Sequence, residues 1–170
     1  MAVTIPNRRR VLFVLASGAL AASSQFLGQS THGASLDDFD LGKVPAKFKA
    51  AASEAVPEAK WTSASKSVDD GDVTYELGGV DADKRKVWVT LTGDGKVDEV
   101  SYEIAIDKVP QVVTAALKKK MPRFQVSTSY ESRKEGKVYW YYFDGKRPRD
   151  KEEITASVSP DGKEVELEED

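Results

Sequence analysis

Cysteine is absent from this chain, and histidine and asparagine occur once each, as His32 and Asn7. Without cysteine there is no disulfide and no lipid-modified cysteine anchor. His32 and Asn7 both fall in an N-terminal stretch that reads as removable, so the remaining chain has neither histidine nor cysteine for a Ser-His or Cys-His nucleophile pair or an ordinary zinc site. A long apolar run is also missing. Val11–Ala22 is too short to span a bilayer, and Ser17 and Gly18 dilute it.

That run has the form of a secretory signal. Arg8, Arg9 and Arg10 precede it, and the small residues Ala19, Ala21 and Ala22 suit cleavage at its exit. Residues 1–34 are therefore expected to be a signal peptide and flexible lead-in, with the Sec and twin-arginine routes both open. Removing them takes three arginines and no acidic residue, leaving 22 basic against 28 acidic residues. An acidic mature chain makes nucleic acid a poor partner and predicts no stable membrane anchor after cleavage.

The rest of the chain says one thing twice. Val44, Phe48, Ala51, Ala52 and Ala55 fall on one helical stripe between Pro45 and Pro57, and Val109, Val112, Val113, Ala116, Leu117 and Met121 fall on another between Pro110 and Pro122. Proline suits the start of a helix and cannot continue one. Each helix is followed by alternating segments that read as strands: Trp61–Ser67, Val73–Leu77, Val87–Thr92 and Val97–Ile104, then Phe124–Glu131, Val138–Phe143, Glu153–Ser159 and Val165–Glu169. Asp70-Gly71 and Glu135-Gly136 mark hairpin turns, and Asp94-Gly95-Lys96 is answered by Asp161-Gly162-Lys163. The spacing between the halves grows from 65 to 67, which places an insertion in the loop Asp144–Lys151. The expected fold is α+β: two tandem α-β-β-β-β repeats, residues 35–104 and 105–170, with both helices on one face of an antiparallel sheet.

Val44-Pro45/Pro57 and Val109-Pro110/Pro122, each followed by a meander with an Asp-Gly-Lys hairpin, resemble the PepSY-like domain and its relatives among β-lactamase-inhibitor-like proteins. The resemblance covers Lys43–Glu169 in two copies. It implies an exported, non-enzymatic module that binds or inhibits another secreted protein, peptidases among them, and it supplies no catalytic residue and no cofactor.

The charge clusters read as solvated surface. Asp69, Asp70 and Asp72 lack the spacing of a calcium loop, so no metal is expected. Lys118, Lys119 and Lys120 end a helix, where cations are favourable. Lys146, Arg147 and Arg149 form a basic loop.

The candidate binding residues come from Tyr139-Trp140-Tyr141-Tyr142-Phe143. Aligned on Thr74–Gly78, Trp140 and Tyr142 should point to the helices, leaving Tyr139, Tyr141 and Phe143 in water with Trp88 beside them. Such rings suit a protein or peptide partner in the exported fraction. The 23–43 lead-in, a second copy in a homodimer, or sheet curvature that makes this face a core are other ways to cover them. The alternatives are a structural or envelope-stress protein acting by assembly, and a hydrolase built on carboxylates.

Overall fold

The computed structural model describes residues 37–69, 71–148 and 153–168. The expected signal peptide and lead-in, His32 and Asn7 lie outside the described residues, as do Asp70, Arg149 and Glu169. Along the chain come β1 (Asp37–Asp38), α1 (Ala46–Ala55), β2 (Lys60–Asp69), β3 (Asp72–Val80), β4 (Lys86–Thr92), β5 (Val97–Ile104), α2 (Gln111–Lys120), β6 (Gln125–Lys134), β7 (Lys137–Lys146), β8 (Ile154–Val158) and β9 (Val165–Glu168). Short 3-10 turns, Leu41–Lys43 and Ile106–Lys108, lead into the two helices.

Proline sets each helix start and stop. Pro45 and Pro110 occupy the N-cap positions in extended conformation, and Val56 and Met121 close the last turns by donating their N–H groups to Ala52 and Leu117 at 2.9 and 2.8 Å. Pro57 and Pro122 follow and cannot extend the ladder. The buried stripes are Val44, Phe48, Ala52 and Val56 in one case and Val109, Val113, Leu117 and Met121 in the other. Of the residues expected there, Ala55 and Val112 are exposed. No helix among the described residues is long and apolar enough to cross a membrane.

All nine strands form one antiparallel meander in chain order, so β5 pairs directly with β6 and joins the two halves. The cross-strand row Val87, Tyr102, Glu131, Tyr141 and Val158 keeps one face from β4 to β8. α1 packs on β3, β4 and β5, and α2 on β8 and β9. Both helices therefore lie on the face that this row marks. Under α1 the core is Phe48, Ala52, Tyr75, Leu77, Val87, Val89 and Leu91, with the Phe48 and Tyr75 rings 4.2 Å apart. Under α2 it is Val113, Leu117, Tyr141, Phe143, Ala156 and Val158.

Tyr141 and Phe143 thus correct the expected facing of β7. They point to the helix, while Trp140 and Tyr142 pack with Tyr130 and Trp88 on the opposite face. The cause is a β-bulge. Ser132 pairs with Trp140 but Arg133 pairs with Val138, so Tyr139 is an extra residue with no partner across the ladder. A one-residue slip sends every later side chain to the other face. The spacing between the halves consequently rises from 65 to 66 at Tyr139, before the loop at Asp144.

Candidate functional site

No described helix or strand lies over the face opposite the helices, and its residues follow from the register. β2 contributes Ser63, Ser65 and Ser67, β3 contributes Glu76 and Gly78, β4 Trp88 and Thr90, and β5 Glu99, Ser101 and Glu103. β6 contributes Tyr130 and Ser132, β7 Trp140, Tyr142 and Asp144, and β8 Thr155 and Ser157. This face is nonetheless packed: Tyr130, Trp140 and Tyr142 are buried and Trp88 half-buried, and Glu99, Ser101, Ser132 and Ser157 are buried with them.

Trp88 is central. It pairs with Gly78 on one side and Ser101 on the other. A Cβ on Gly78 would lie 3.1 Å from the Trp88 Cδ1 and Nε1 atoms and 2.5 Å from Ser63 Oγ. The missing side chain is therefore what lets the indole lie over β3. Across the sheet Trp88 meets Tyr130 edge to face, with centroids 5.6 Å apart.

Between the two tryptophans, Ser101 and Ser132 face each other across β5 and β6. Their hydroxyls are in mutual contact, and both donate to Glu99 Oε1, at 3.1 Å from Ser101 and 2.8 Å from Ser132. On the far side Thr155 Oγ1 donates to Asp144 Oδ1 at 2.8 Å, and Tyr130 also bonds Asp144. Burial and the neighbouring Asp144 carboxylate push the Tyr130 hydroxyl well above its ordinary range, and burial raises Asp144.

Glu76 is the unusual group. Its cross-strand neighbours are Ser65 and Thr90, with Ser63, Ser67, Trp88 and Thr92 diagonal to it, and it makes no hydrogen bond or ion pair with a described residue. Burial, then repulsion from Glu99, push its carboxyl up to about 7.

The four sequence-predicted residues separate. Trp88 lies on the face opposite the helices as expected, but half-buried against Tyr130 rather than in water. Tyr139, 40% exposed, sits on the bulge with its ring against Trp140 and Lys134. Tyr141 and Phe143 are under α2, with the Tyr141 hydroxyl donating to Glu131 Oε2 at 3.3 Å. Trp140, Tyr142, Tyr130, Glu76 and Glu99 were missed. One signal marks Trp140 and Tyr142: Tyr75-x-Leu77-x-Gly79 and Tyr141-x-Phe143-x-Gly145 are separated by 66 residues, not 65. Both glycines have the same reason, since a Cβ would lie 2.3 Å from the Lys60 oxygen at Gly79 and 2.2 Å from the Gln125 oxygen at Gly145.

The Asp-Gly-Lys motifs are turn devices. Asp94 Oδ1 accepts from Thr92 Oγ1 at 2.5 Å and from the Lys96 N–H at 3.3 Å, while Asp161 Oδ1 accepts from Ser159 Oγ at 2.8 Å and from the Lys163 N–H at 3.1 Å. The adjacent lysine ammonium, then those hydroxyl and backbone bonds, hold both carboxyls below their usual range. Among the described residues no group of His, Cys, Asp and Glu could hold a metal ion.

No protein-family model and no curated protein matches the chain. Solved structures do. A DUF2874 family protein from Bacteroides uniformis aligns over 73% of this chain and 89% of its own, with a TM-score of 0.59 at 15% identity. A BLIP-like protein from Bacteroides fragilis aligns over 75% and 88%, with a TM-score of 0.55 at 16% identity. A protein from Bacteroides eggerthii described as periplasmic aligns over 72% and 88%, with a TM-score of 0.51 at 14% identity. At these identities the likeness is one of fold: a long antiparallel sheet with two helices on one face.

Proposed function

We propose that this chain is an exported, non-enzymatic binding module that captures a protein or peptide partner on the sheet face opposite its helices. The observation that carries this reading is the aromatic set Trp88, Tyr130, Trp140 and Tyr142 on the face opposite the helices. Trp88 is half-buried and the other three are buried in the chain by itself, so that a partner would reach them through Trp88 and the rim. Rings of this kind anchor interfaces because they bury much area for little lost conformational freedom. The signal-like N-terminus and the periplasmic description of one structural neighbour support export. The BLIP-like neighbour and the PepSY-like resemblance support an inhibitor or regulator of a secreted peptidase or other envelope protein.

The two halves are read as tandem copies of one unit, residues 35–104 and 105–170. What supports this is the twice-run order of helix and four strands, together with the matched glycines at 79 and 145. The binding residues are Trp88, Tyr130, Trp140 and Tyr142, with Tyr139 at the rim. Tyr141 and Phe143 are omitted because they are core.

A photo-reactive aromatic placed at position 88 tests the reading, with position 112, exposed on α2, as the comparison. In cells of the source organism, the expected outcome is an adduct with an exported protein from position 88 and none from 112. Adducts from 112 alone, or from neither position, would overturn it. An adduct with a second copy would replace it by self-assembly.

A further inference from the structure

On the helix side of the sheet, beside α1, an open cleft of about 1020 Å³ lies between the tips of the β2–β3 and β4–β5 hairpins. Lys66 pairs with Tyr75, Tyr75 with Leu91 and Leu91 with Val97, so all four share the face that α1 covers. Phe48 and Tyr75 form the buried floor, while Val73 is half-buried and Val97 exposed at the mouth. Two lysines stand over that floor. The Lys47 Nζ atom lies 4.6 Å from the Phe48 ring centroid and donates to the Gly93 carbonyl at 3.1 Å, and the Lys66 Nζ atom lies 5.7 Å from the Tyr75 centroid. Lys47 is exposed and Lys66 half-buried. Among the described residues neither ammonium has a carboxylate partner. Of the acids around the cleft, Asp94 is held by Lys96 at 2.7 Å and Asp98 by Lys134 at 3.1 Å, which leaves Asp72 exposed on its hairpin tip. The fold itself does not call for these lysines. In the second half, 65 residues on, Val112 and Glu131 stand in their places, and Glu131 is tied to Arg133 and Tyr141. There the Gly162 turn closes on α2, since a Cβ on it would lie 2.8 Å from the Val112 oxygen, whereas at Gly95 a Cβ would meet only the Lys47 side chain, at 3.4 Å.

We propose that this cleft is a second interaction surface, which takes an acidic segment of a partner protein and sets its aspartate or glutamate carboxylates against Lys47 and Lys66. The ring faces hold the two ammoniums in place without neutralising them. A carboxylate therefore gains a charge-assisted contact for a smaller loss of side-chain freedom than it would at an untethered lysine. Val73 and Val97 offer apolar surface to the rest of the segment. A basic segment would meet the two lysines and find only Asp72 uncompensated, so the arrangement selects by sign as well as attracting. The cleft is on the other side of the sheet from Trp88, and it stands or falls apart from the docking reading above.

The test uses the purified protein and three short peptides of one length, Gly-Ser-Glu, Gly-Ser-Gln and Gly-Ser-Arg repeats, with binding followed by calorimetry. The glutamate peptide should bind, more weakly as salt rises, and the other two should not. In the Lys47→Gln/Lys66→Gln double variant its Kd should rise roughly tenfold, with a circular dichroism spectrum like the parent's. Lys118→Gln/Lys119→Gln, at the far end of α2, should leave it unchanged. Equal binding of all three peptides, no binding of the glutamate peptide, or an equal loss in the α2 control would overturn the proposal. If the double variant fails to fold, Lys47→Val decides, because it puts at position 47 the residue that α2 carries at 112. A raised Kd in that variant supports the cleft, and an unchanged one overturns it. Trp88→Leu, on the opposite face, should not alter the Kd, so a failure of the cleft and a failure of the docking reading are seen separately.

Discussion

A single carboxyl gives the sharpest solution test. Glu76 has its pKa raised to about 7 by burial and by Glu99, against an ordinary value of 4.5. Between those values the folded chain binds more protons at this site than the unfolded chain, so stability falls as pH rises. The contribution is whole below the unfolded value and is lost as pH passes the folded one. At about 1.4 kcal/mol per pH unit, the window from 4.5 to about 7 amounts to about 3.5 kcal/mol at most. Glu76→Gln removes the ionisation while keeping the shape. It should raise the thermal midpoint at pH 8, change it little at pH 5, and flatten the slope between. An unchanged slope across that window would show that Glu76 is solvated and ordinary.

At the scale of the element, the bulge on β7 decides which rings are core. Tyr139 is the extra residue, and on either side of it Val138 pairs with Arg133 and Trp140 with Ser132. In the matching hairpin of β2 and β3, Val68 pairs with Val73 and Ser67 with Thr74 with no residue between. Deleting Tyr139 should therefore leave an ordinary hairpin with every later side chain on its present face, at a cost under about 1 kcal/mol. Deleting Tyr142, three residues on, should force either Tyr141 or Phe143 out of the core under α2. Loss of a buried phenylalanine alone costs about 3–5 kcal/mol, enough to threaten the fold. Urea unfolding of the two deletions measures the difference, and equal losses would refute the account of the bulge. Nothing in five consecutive aromatic residues signals a bulge, because a run of rings has no period by which to assign faces. Only the glycine two residues past each core pair carries that information.

For the whole molecule, the question is whether the halves are separate bodies. Strands β5 and β6 pair from Val100–Ile104 to Ser129–Arg133, the Ser101, Ser132 and Glu99 cluster straddles them, and Arg85 and Arg133 both lie over the Tyr102 ring. Each half is near the size at which one core is marginal by itself. Thermal unfolding followed by near- and far-ultraviolet circular dichroism should therefore give one coincident transition. Two resolved transitions would mean that residues 35–104 and 105–170 unfold as independent domains.

The sequence alone determined the helices and the strands, because prolines fix helix ends locally and period-2 alternation is a property of consecutive residues. It also determined that the sheet has two unlike faces, and the chemistry that the absence of cysteine and a loss of His32 would exclude. The tertiary structure decided two things. Pairing of β5 with β6 made one continuous sheet, a contact between distant residues that neither half encodes by itself. Pairing of β6 with β7 placed the bulge at Tyr139, and with it the exchange of Tyr141 and Phe143 for Trp140 and Tyr142 on the face opposite the helices. Facing in a strand is a parity, and one unpaired residue reverses it for everything that follows.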